Sequence, residues 1–419
     1  MITILCSGSR GDIQPYIALA RELIALGKEV CIVTGASFAN FVTGYGIGFH
    51  PLSADLTTVQ DLDPELLRQA QSSDNPLKML MTFRKMKHFA DRAAASITAE
   101  CMTACAGSEI IVYHPGCAVG YFAAQQMGVP AVLATPFPLH RTRQRASLVA
   151  YGRYPLLPGP VSYTLLQGML WSVSKNAIAD YWRQTTGAVP ENFGCPFERM
   201  SKRHPAVVSC SNAVFQRPAD WNEHIHQSGY WFVHEADTYQ PPPALADFLA
   251  AGEKPVYFGF GSVLGQNEGA RVARIAAEAL QITGKRGILC GFGDAADLPD
   301  SIFAIPSIPH SWLFARVAAI CHHGGAGTAA AGFAAGRPSI IVPFSNDQFA
   351  WAHRAYELGV APEPFTIKQL TAERLAAAIR FTDREDVRRK ANTLGDAVRA
   401  ENGARDAALV ILAAQDAPG

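Results

Sequence analysis

The sequence predicts an α/β protein of two domains, each built around a parallel β-sheet. The chain has 419 residues, more than the ~250 to 300 at which a single hydrophobic core stops growing. Short apolar segments alternate with helical segments in both halves, and this order is typical of βαβ units. Between the halves, the triple proline Pro241–Pro243 favours a stiff and extended linker. We therefore predict domains at 1–235 and 255–419, joined by a linker at 236–254.

Composition and charge restrict the class of protein. Hydrophobic residues make up 49% of the chain and charged residues 17%, which is enough for two cores and excludes disorder. The formal net charge is +0, so no nucleic-acid partner is expected, because binding a phosphate backbone needs a basic excess. Nine scattered cysteines favour free thiols in a reducing compartment. Met1–Cys6 runs into a glycine turn without a basic segment, so we interpret it as a strand and expect a cytoplasmic protein, with peripheral membrane contact left open.

The N-terminal half begins with a strand, a glycine-containing loop and a helix, and Gly27 is expected to end that helix in a left-handed conformation. The alternation is interrupted by polar and methionine-rich sequence at 55–91, and 141–192 is predicted to be an insertion rich in aromatic residues. The predicted elements, in chain order, are strand Ile2–Cys6, loop Ser7–Asp12, helix Pro15–Leu26, strand Glu29–Thr34, helix Ser37–Tyr45, a strand near Phe49, and strands Ile110–Tyr113 and Ala131–Thr135.

The C-terminal half repeats the order of strand, glycine turn and helix, and its tail is predicted to be helical from 383 to 414. The predicted elements are strand Pro255–Gly259, turn Phe260–Ser262, helix Arg271–Thr283, strand Arg286–Cys290, strands near Phe303 and Val317, helix Ala329–Ala335 and strand Ser339–Pro343.

The most informative segment is the glycine turn His322–Thr328 between a buried strand and an alanine-rich helix. The free N–H groups and the dipole of a helix N-terminus bind anions, and glycines let a phosphate approach the backbone. His323 adds a donor beside this terminus. The next strand places Asp347 and Gln348 at its C-terminal end, where parallel sheets bind ligands. A carboxylate beside an amide suits the hydroxyls of a sugar.

These motifs carry a resemblance to a known family. The run from Pro309 and His310 through His322–Thr328 to Asn346–Phe349 resembles the nucleotide-sugar signature of the GT-B glycosyltransferases of family 1. The block Gly8–Leu19 is similar to the N-terminal signature of the sterol 3-beta-glucosyltransferase branch. Bacterial antibiotic and lipid glycosyltransferases carry similar signatures. Further matching segments are Tyr113–Pro115, Pro136–Pro138, Arg217–Trp221 and Gly229–Trp231.

The resemblance implies a GT-B fold, with two Rossmann-like domains facing across a cleft and a C-terminal helix that crosses back to the N-terminal domain. It implies an inverting enzyme that moves a hexose, with glucose as first candidate, from a nucleoside diphosphate sugar, with UDP-glucose as first candidate, to a hydroxyl of a lipophilic acceptor such as a sterol. Two alternatives stay open. One is a dTDP- or UDP-sugar glycosyltransferase acting on a polyketide, carotenoid or other natural product, and the other is a non-catalytic nucleotide-sugar binding protein.

The same resemblance assigns roles to residues. Asp12 is the expected general base on the acceptor hydroxyl, although its position alone favours a helix cap. His323 is expected to stabilise the leaving diphosphate, although it could be a core histidine. The predicted donor-binding residues are Ser9, Arg10, Ser262, Ile308, His310, His323, Gly325, Ala326, Gly327, Thr328, Asn346, Asp347 and Gln348. The predicted acceptor-binding residues are Met79, Phe83, Phe137, His140, Met169 and Trp171, which could instead be core residues.

No cofactor or metal ion is expected, because the helix terminus and His323 already supply positive potential at the phosphates. Cys101 and Cys105 lie four residues apart on a predicted helix, but no second pair of ligands lies near them. A Rossmann-type oxidoreductase would need the pattern Gly-x-Gly-x-x-Gly. The turn that begins at Gly259 has Leu264 in the third glycine position, so that reading fails.

Overall fold

The computed structural model describes residues 1–53, 94–233, 239–261, 266–292 and 298–417. These residues form two compact units. The first unit comprises Met1–Ser147, Leu156–Val233 and Glu401–Gly419, and the second comprises Leu148–Pro155 and His234–Ala400. The C-terminal segment thus returns to the first unit, as the predicted fold class requires.

The described strands are β1 (Ile2–Leu5), β2 (Val30–Gly35), β3 (Gly48–Leu52), β4 (Ile110–Tyr113), β5 (Ala131–Thr135), β6 (Ala206–Val208), β7 (Ile225–Gln227), β8 (Val256–Gly259), β9 (Gly287–Cys290), β10 (Ile302–Ile305), β11 (Ala319–His322) and β12 (Ser339–Ile341). The described helices are α1 (Arg10–Ala25), α2 (Ala39–Thr43), α3 (94–104), α4 (Val119–Met127), α5 (Gly159–Thr186), α6 (Pro243–Ala250), α7 (Gln266–Thr283), α8 (His310–Leu313), α9 (Ala326–Ala334), α10 (Gln348–Glu357), α11 (Ala372–Thr382), α12 (Glu385–Arg399) and α13 (Gly403–Gln415). Short 3₁₀ helices cover Ala36–Phe38, Pro115–Cys117, Phe314–Arg316 and Ile367–Gln369.

A seven-stranded sheet forms the centre of the first unit, in the order β3-β2-β1-β4-β5-β6-β7, and all its neighbouring strands run parallel. Every residue of β4 and β5 is buried. Parallel strands covered on both faces appear in sequence as continuous apolar runs. For that reason both strands begin and end where the sequence predicts them.

The first helix begins a full turn earlier than predicted. Its N-cap is Ser9, so Asp12 is the third residue of the helix and not its cap, and Pro15 lies inside the helix. Asp12 accepts a hydrogen bond from the backbone N–H of Ser9 at 2.7 Å, which satisfies one donor of the helix N-terminus. The predicted C-terminal end is confirmed, because Gly27 follows with φ +80°.

The predicted insertion contains the longest described helix of the first unit, α5, with 28 residues. Its buried face carries Tyr163, Leu166, Ile178 and Trp182. The helix ends at Thr186, and its C-cap Gly187 has φ +81°, a conformation that glycine adopts without strain.

A five-stranded parallel sheet forms the centre of the second unit, in the order β10-β9-β8-β11-β12. Successive side chains of β8 point to opposite faces, so Tyr257 packs in one core and Phe258 in the other. The extended linker expected from Pro241–Pro243 is wrong in part, because α6 begins at Pro243. Proline suits the first turn of a helix, where its missing N–H would have no partner.

The last helix, α13, packs against α1 and the sheet of the first unit. It contributes Ala407, Ala408 and Ile411 to the hydrophobic core of the first unit. This confirms the predicted crossing of the C-terminal helix. None of the helices among the described residues is long and apolar enough to cross a lipid bilayer.

Candidate functional site

The glycine turn of the second unit follows a strand that is paired on both sides. His322, the last residue of β11, lies opposite Gly259 of β8 and Ile341 of β12. His323 therefore leaves the sheet at its C-terminal edge, beside the turn that follows β8. The structure confirms that the two glycine turns predicted from sequence share this edge.

The two adjacent histidines point in different directions. His322 is fully buried, and its Nδ1 accepts a hydrogen bond from the backbone N–H of Gly324 at 3.1 Å. Burial, with smaller contributions from His323 and His310, lowers the pKa of His322 well below its usual value. Its role is therefore to fix the turn as a neutral group, and it is not available as a ligand beside His323.

The ring of His323 lies between the two glycine turns. A Cβ on Gly325 would stand 2.5 Å from its Nε2, and a Cβ on Gly261 would stand 3.5 Å from its Cε1. Burial lowers the pKa of His323 to about 4, so the imidazole is neutral at neutral pH and donates through one ring nitrogen only. Among the described residues, its Nδ1 has no hydrogen-bond partner.

Helix α9 begins directly beside this ring. Gly325 is the N-cap, and Ala326, Gly327 and Thr328 are the first three helical residues, whose N–H groups have no acceptor within the helix. Gly324 has φ +93°, and a Cβ there would stand 2.8 Å from Cγ2 of Ile341. The turn therefore requires glycine at 324. A helix N-terminus beside a neutral histidine donor is an arrangement that can bind an anion.

The residues after β12 form the second predicted part of the donor site. Asn346 has φ +51°, a left-handed conformation that asparagine tolerates better than most residues. Oδ2 of Asp347 accepts a hydrogen bond from the indole N–H of Trp351 at 2.9 Å. Oε1 of Gln348 accepts backbone hydrogen bonds from residues 344 and 345 at 2.7 and 3.2 Å. The Gln348 carbonyl thus shapes the loop, and its NH₂ group is the end that can donate to a sugar.

Two further predicted donor residues, Ile308 and His310, follow β10. Ile308 is buried in the core of the second unit. His310 begins α8, and its ring stacks on Phe314 with centroids 4.4 Å apart and an angle of 13° between the planes. Its Nε2 lies 3.3 Å from the hydroxyl of Tyr257. Both residues are held by contacts within the second unit. That either one contacts the sugar donor stays a prediction.

In the first unit, the N-cap residue of α1 holds Asp12 in a fixed position. Oδ2 of Asp12 accepts hydrogen bonds from the N–H of Ser9 at 2.7 Å and from its hydroxyl at 2.9 Å. Gly8 has φ +134°, and a Cβ there would stand 2.5 Å from Oδ2 of Asp12. The guanidinium of Arg10 lies 4.5 Å from the ring centroid of Phe41. The predicted roles of Ser9 and Arg10 toward the donor stay predictions.

The predicted acceptor residues occupy different environments. His140 is fully buried and packs edge-on against Trp221, with centroids 5.8 Å apart, and burial lowers its pKa to about 4. Phe137 is half-buried, and Met169 is 41% exposed on α5. Trp171 packs between the rings of Phe122 and Phe193. The remaining predicted site residues, Met79, Phe83 and Ser262, lie outside the described residues.

Sequence reasoning assigned no role to His114, which the structure places near Asp12. The residue follows β4, and its Nδ1 accepts the N–H of Gly116 at 3.0 Å. The Asp12 carboxylate acts on its pKa, although burial has the larger effect. The only signal in the sequence was the motif Tyr113–Pro115, which carries the family resemblance without indicating a role.

Two family models match the chain. A glycosyltransferase family 28 N-terminal domain matches residues 2–143, and an erythromycin biosynthesis protein CIII-like C-terminal domain matches residues 291–409. The first match contains the loop that holds Asp12. The second contains both His323 and Asp347.

Relatives of known function are similar over nearly the whole chain. The chain is 31% identical over 420 residues to sterol 3-beta-glucosyltransferase UGT80B1 of Arabidopsis thaliana, covering 96% of this chain and 66% of that protein. It is 33% identical over 437 residues to a sterol 3-beta-glucosyltransferase of Cryptococcus neoformans, covering 96% of this chain and 26% of that protein. The chain thus spans 66% or less of the length of these relatives. They confirm the predicted resemblance to the sterol branch.

Solved structures share the fold. The glycotransferase of kitacinnamycin matches with a TM-score of 0.71 at 20% identity, covering 98% of this chain and 97% of the other. The glycosyltransferase VinC, solved in complex with DTDP, matches with a TM-score of 0.69 at 17% identity, covering 99% of both chains. These similarities confirm the predicted GT-B fold.

The steric contact between residue 325 and His323 gives a test with a matched control. Gly325→Ala should lower the free energy of unfolding by ~1 to 3 kcal/mol, because the added methyl group must displace the histidine ring. Nothing lies within 4 Å of a Cβ on Gly327. Gly327→Ala should therefore raise it by up to ~1 kcal/mol, because alanine is the better helix former. Chemical denaturation of both variants checks this, and equal effects would contradict the position of the ring.

Proposed function

Because this chain belongs to the GT-B glycosyltransferases, we propose that it transfers glucose from UDP-glucose to the hydroxyl of a sterol-like lipophilic alcohol. The observation that carries the proposal is the neutral His323 beside the open N-terminus of α9. The Arabidopsis and Cryptococcus relatives support the acceptor class, since each is a sterol 3-beta-glucosyltransferase. Residence in the cytoplasm and peripheral contact with the membrane that holds the acceptor are part of the proposal.

The second unit supplies the donor site. The diphosphate gains negative charge as the bond from C1 of the sugar to the phosphate oxygen breaks. Backbone N–H groups at residues 326–328 and one N–H of His323 are held in place before the reaction, so they can stabilise that charge without reorganisation. Each such donor is typically worth ~3 kcal/mol in the transition state. Asp347 and Gln348 would bind the sugar hydroxyls.

The first unit supplies the base. Oδ2 of Asp12 is engaged by Ser9, and Oδ1 is the oxygen left to receive a proton. The acceptor oxygen would form its bond to C1 from the face opposite the diphosphate while its proton passes to Oδ1. The products are the inverted glycoside, the nucleoside diphosphate and a protonated Asp12 that returns its proton to water. No step needs a metal ion or a cofactor.

The donor nucleotide has a second candidate. The part of the chain that contains His323 and Asp347 matches the erythromycin biosynthesis protein CIII-like domain, and VinC was solved with DTDP. These observations support the alternative reaction. In it, the donor is a dTDP-sugar and the acceptor is a polyketide, carotenoid or other natural product.

An acceptor screen separates these reactions. Mass spectrometry of mixtures with UDP-glucose or dTDP-glucose and sterols, carotenoids, polyketides or phenolics should show a sterol glucoside formed from UDP-glucose, with and without EDTA. A product from dTDP-glucose alone would favour the alternative. Loss of turnover with EDTA would contradict the metal-free mechanism. Donor binding without turnover on any acceptor would identify a non-catalytic binding protein.

The role of Asp12 is tested by Asp12→Asn. Turnover should fall by ~10² to 10⁴ because the general base is lost, whereas calorimetric affinity for UDP should not change. The amide oxygen of asparagine can still accept from Ser9, so the helix cap is retained. Asp180→Asn, at an exposed position on α5, is the control that should leave turnover unchanged. Near-normal turnover of Asp12→Asn would show that residue 12 only stabilises the N-terminus of the helix through Ser9.

The role of Asp347 is tested with altered donors. A site that hydrogen-bonds a hydroxyl rejects an analogue without it, because the protein group is left unpaired. UDP-3-deoxy- and UDP-4-deoxyglucose should therefore react much more slowly than UDP-glucose, and Asp347→Ala should reduce that difference while UDP affinity stays normal. Trp351→Phe removes the indole donor that holds Asp347 but keeps a ring and the carboxylate, so it should weaken the discrimination less than Asp347→Ala does. Unchanged discrimination in Asp347→Ala would contradict the assignment.

A further inference from the structure

His114 lies at the same edge of the first sheet as the loop that holds Asp12. Strands β1 and β4 are parallel neighbours, with Leu5 opposite Tyr113. The backbone N–H of His114 donates to the carbonyl of Leu5 at 2.8 Å, so His114 is the first residue beyond the paired strand. The chain that leaves β1 at this point continues through Gly8 and Ser9 into the first turn of α1, which carries Asp12.

The imidazole of His114 packs against the face of α1 that carries Asp12. Its ring meets the ring of Tyr16 edge-on, with centroids 6.0 Å apart and an angle of 86° between the planes. Tyr16 follows Asp12 by four residues, so the two side chains lie on one face of the helix, a turn apart. Tyr16 is itself fixed, because its hydroxyl donates to the carbonyl of Ala134 at 2.6 Å.

The protonation of the His114 ring is set by its neighbours. Gly116 donates its N–H to Nδ1 at 3.0 Å, so in the neutral ring the proton lies on Nε2. Burial lowers the pKa of His114 to about 4, against an opposing effect of the Asp12 carboxylate. Nε2 is buried and has no hydrogen-bond partner among the residues that the structure describes. The ring therefore presents one buried N–H donor in the neighbourhood of Asp12.

We infer that His114 is a further residue of the acceptor site, and that its Nε2–H donates to the acceptor hydroxyl oxygen whose proton Asp12 removes. This rests on the proposed role of Asp12. A hydroxyl has one proton and two lone pairs. The acceptor hydroxyl would direct its proton toward Oδ1 of Asp12 and one lone pair toward Nε2–H of His114. Its other lone pair is then directed toward the anomeric carbon.

The neutral state of His114 suits this role. A donor on the acceptor oxygen stabilises the negative charge that develops as the proton leaves. A charged imidazolium would instead pair with the Asp12 carboxylate and weaken it as a base. The neighbouring thiol is neutral as well, since burial raises the pKa of Cys117 to about 11. The Asp12 carboxylate is thus the charge that acts on the His114 ring.

Two substitutions of His114 separate this role from a structural one. His114→Asn keeps an acceptor for the N–H of Gly116 at the position of Nδ1, but loses the donor at Nε2. His114→Gln places an amide N–H near the position of Nε2, but loses the acceptor for Gly116. We expect kcat to fall on the order of 10²-fold in His114→Asn and clearly less in His114→Gln, with normal UDP affinity in both. Equal or higher kcat in His114→Asn would show that His114 only caps the turn.

A double-mutant cycle with Asp12→Asn gives the second readout. Once the base is lost, the His114 donor has little charge to stabilise, so the double variant should be only a few-fold slower than Asp12→Asn alone. If the losses of kcat in the two single variants multiply in the double variant, the inference is wrong. This outcome can be read even if either His114 variant is less stable. His204→Asn is the control for a buried histidine of the same unit, since Tyr113 and the carbonyl of Arg199 already occupy both its ring nitrogens. Any loss of kcat caused by His204→Asn should multiply with the loss caused by Asp12→Asn.

The outcomes distinguish this inference from the function on which it rests. If Asp12→Asn alone keeps near-normal turnover, the proposed function of Asp12 fails. If Asp12→Asn is slow but the two His114 variants contradict the expected order, only the role of His114 fails.

Discussion

The glycine turn of the second unit depends on one buried hydrogen bond, from the N–H of Gly324 to Nδ1 of His322. This bond turns the chain sharply at the end of β11, so that His323 and the first turn of α9 face the same edge of the sheet. A buried imidazole without such a partner would cost about 1 to 3 kcal/mol for each unsatisfied group. His322 is therefore a structural residue whose conformation decides where His323 lies.

The first unit uses the same arrangement. His114 accepts the N–H of Gly116 at 3.0 Å, as His322 accepts the N–H of Gly324 at 3.1 Å, and in both cases the glycine follows two residues after a histidine at a strand end. Burial keeps both rings neutral. This hydrogen-bonded turn does not by itself indicate a catalytic role. His322 forms the same turn, but the groups that act on its pKa are other histidines. What distinguishes His114 is the neighbouring carboxylate of Asp12.

The fold could be predicted where the information is local. Strands β4 and β5 are continuous apolar runs, and Gly27 marks the end of α1, so their bounds follow from the sequence. The start of α1 was missed because Pro15 looked like a first-turn residue, whereas Ser9 already caps the helix. Burial of His140 and its contact with Trp221 depend on residues far apart in sequence. For the same reason the contact between His114 and Tyr16 had no signal in the sequence.

A role for Asp12 at the helix N-terminus does not exclude a role as a base, because a carboxylate has two oxygens. The structure separates its two oxygens, because Oδ2 accepts both hydrogen bonds from Ser9 and Oδ1 does not take part in the cap. Asp347 is held in a related way, through Oδ2 and the indole N–H of Trp351 on its own helix. A carboxylate fixed through one oxygen loses its rotational freedom during folding, not during catalysis. The local structure that made Asp12 look like a plain helix cap is thus the structure that would orient it as a base.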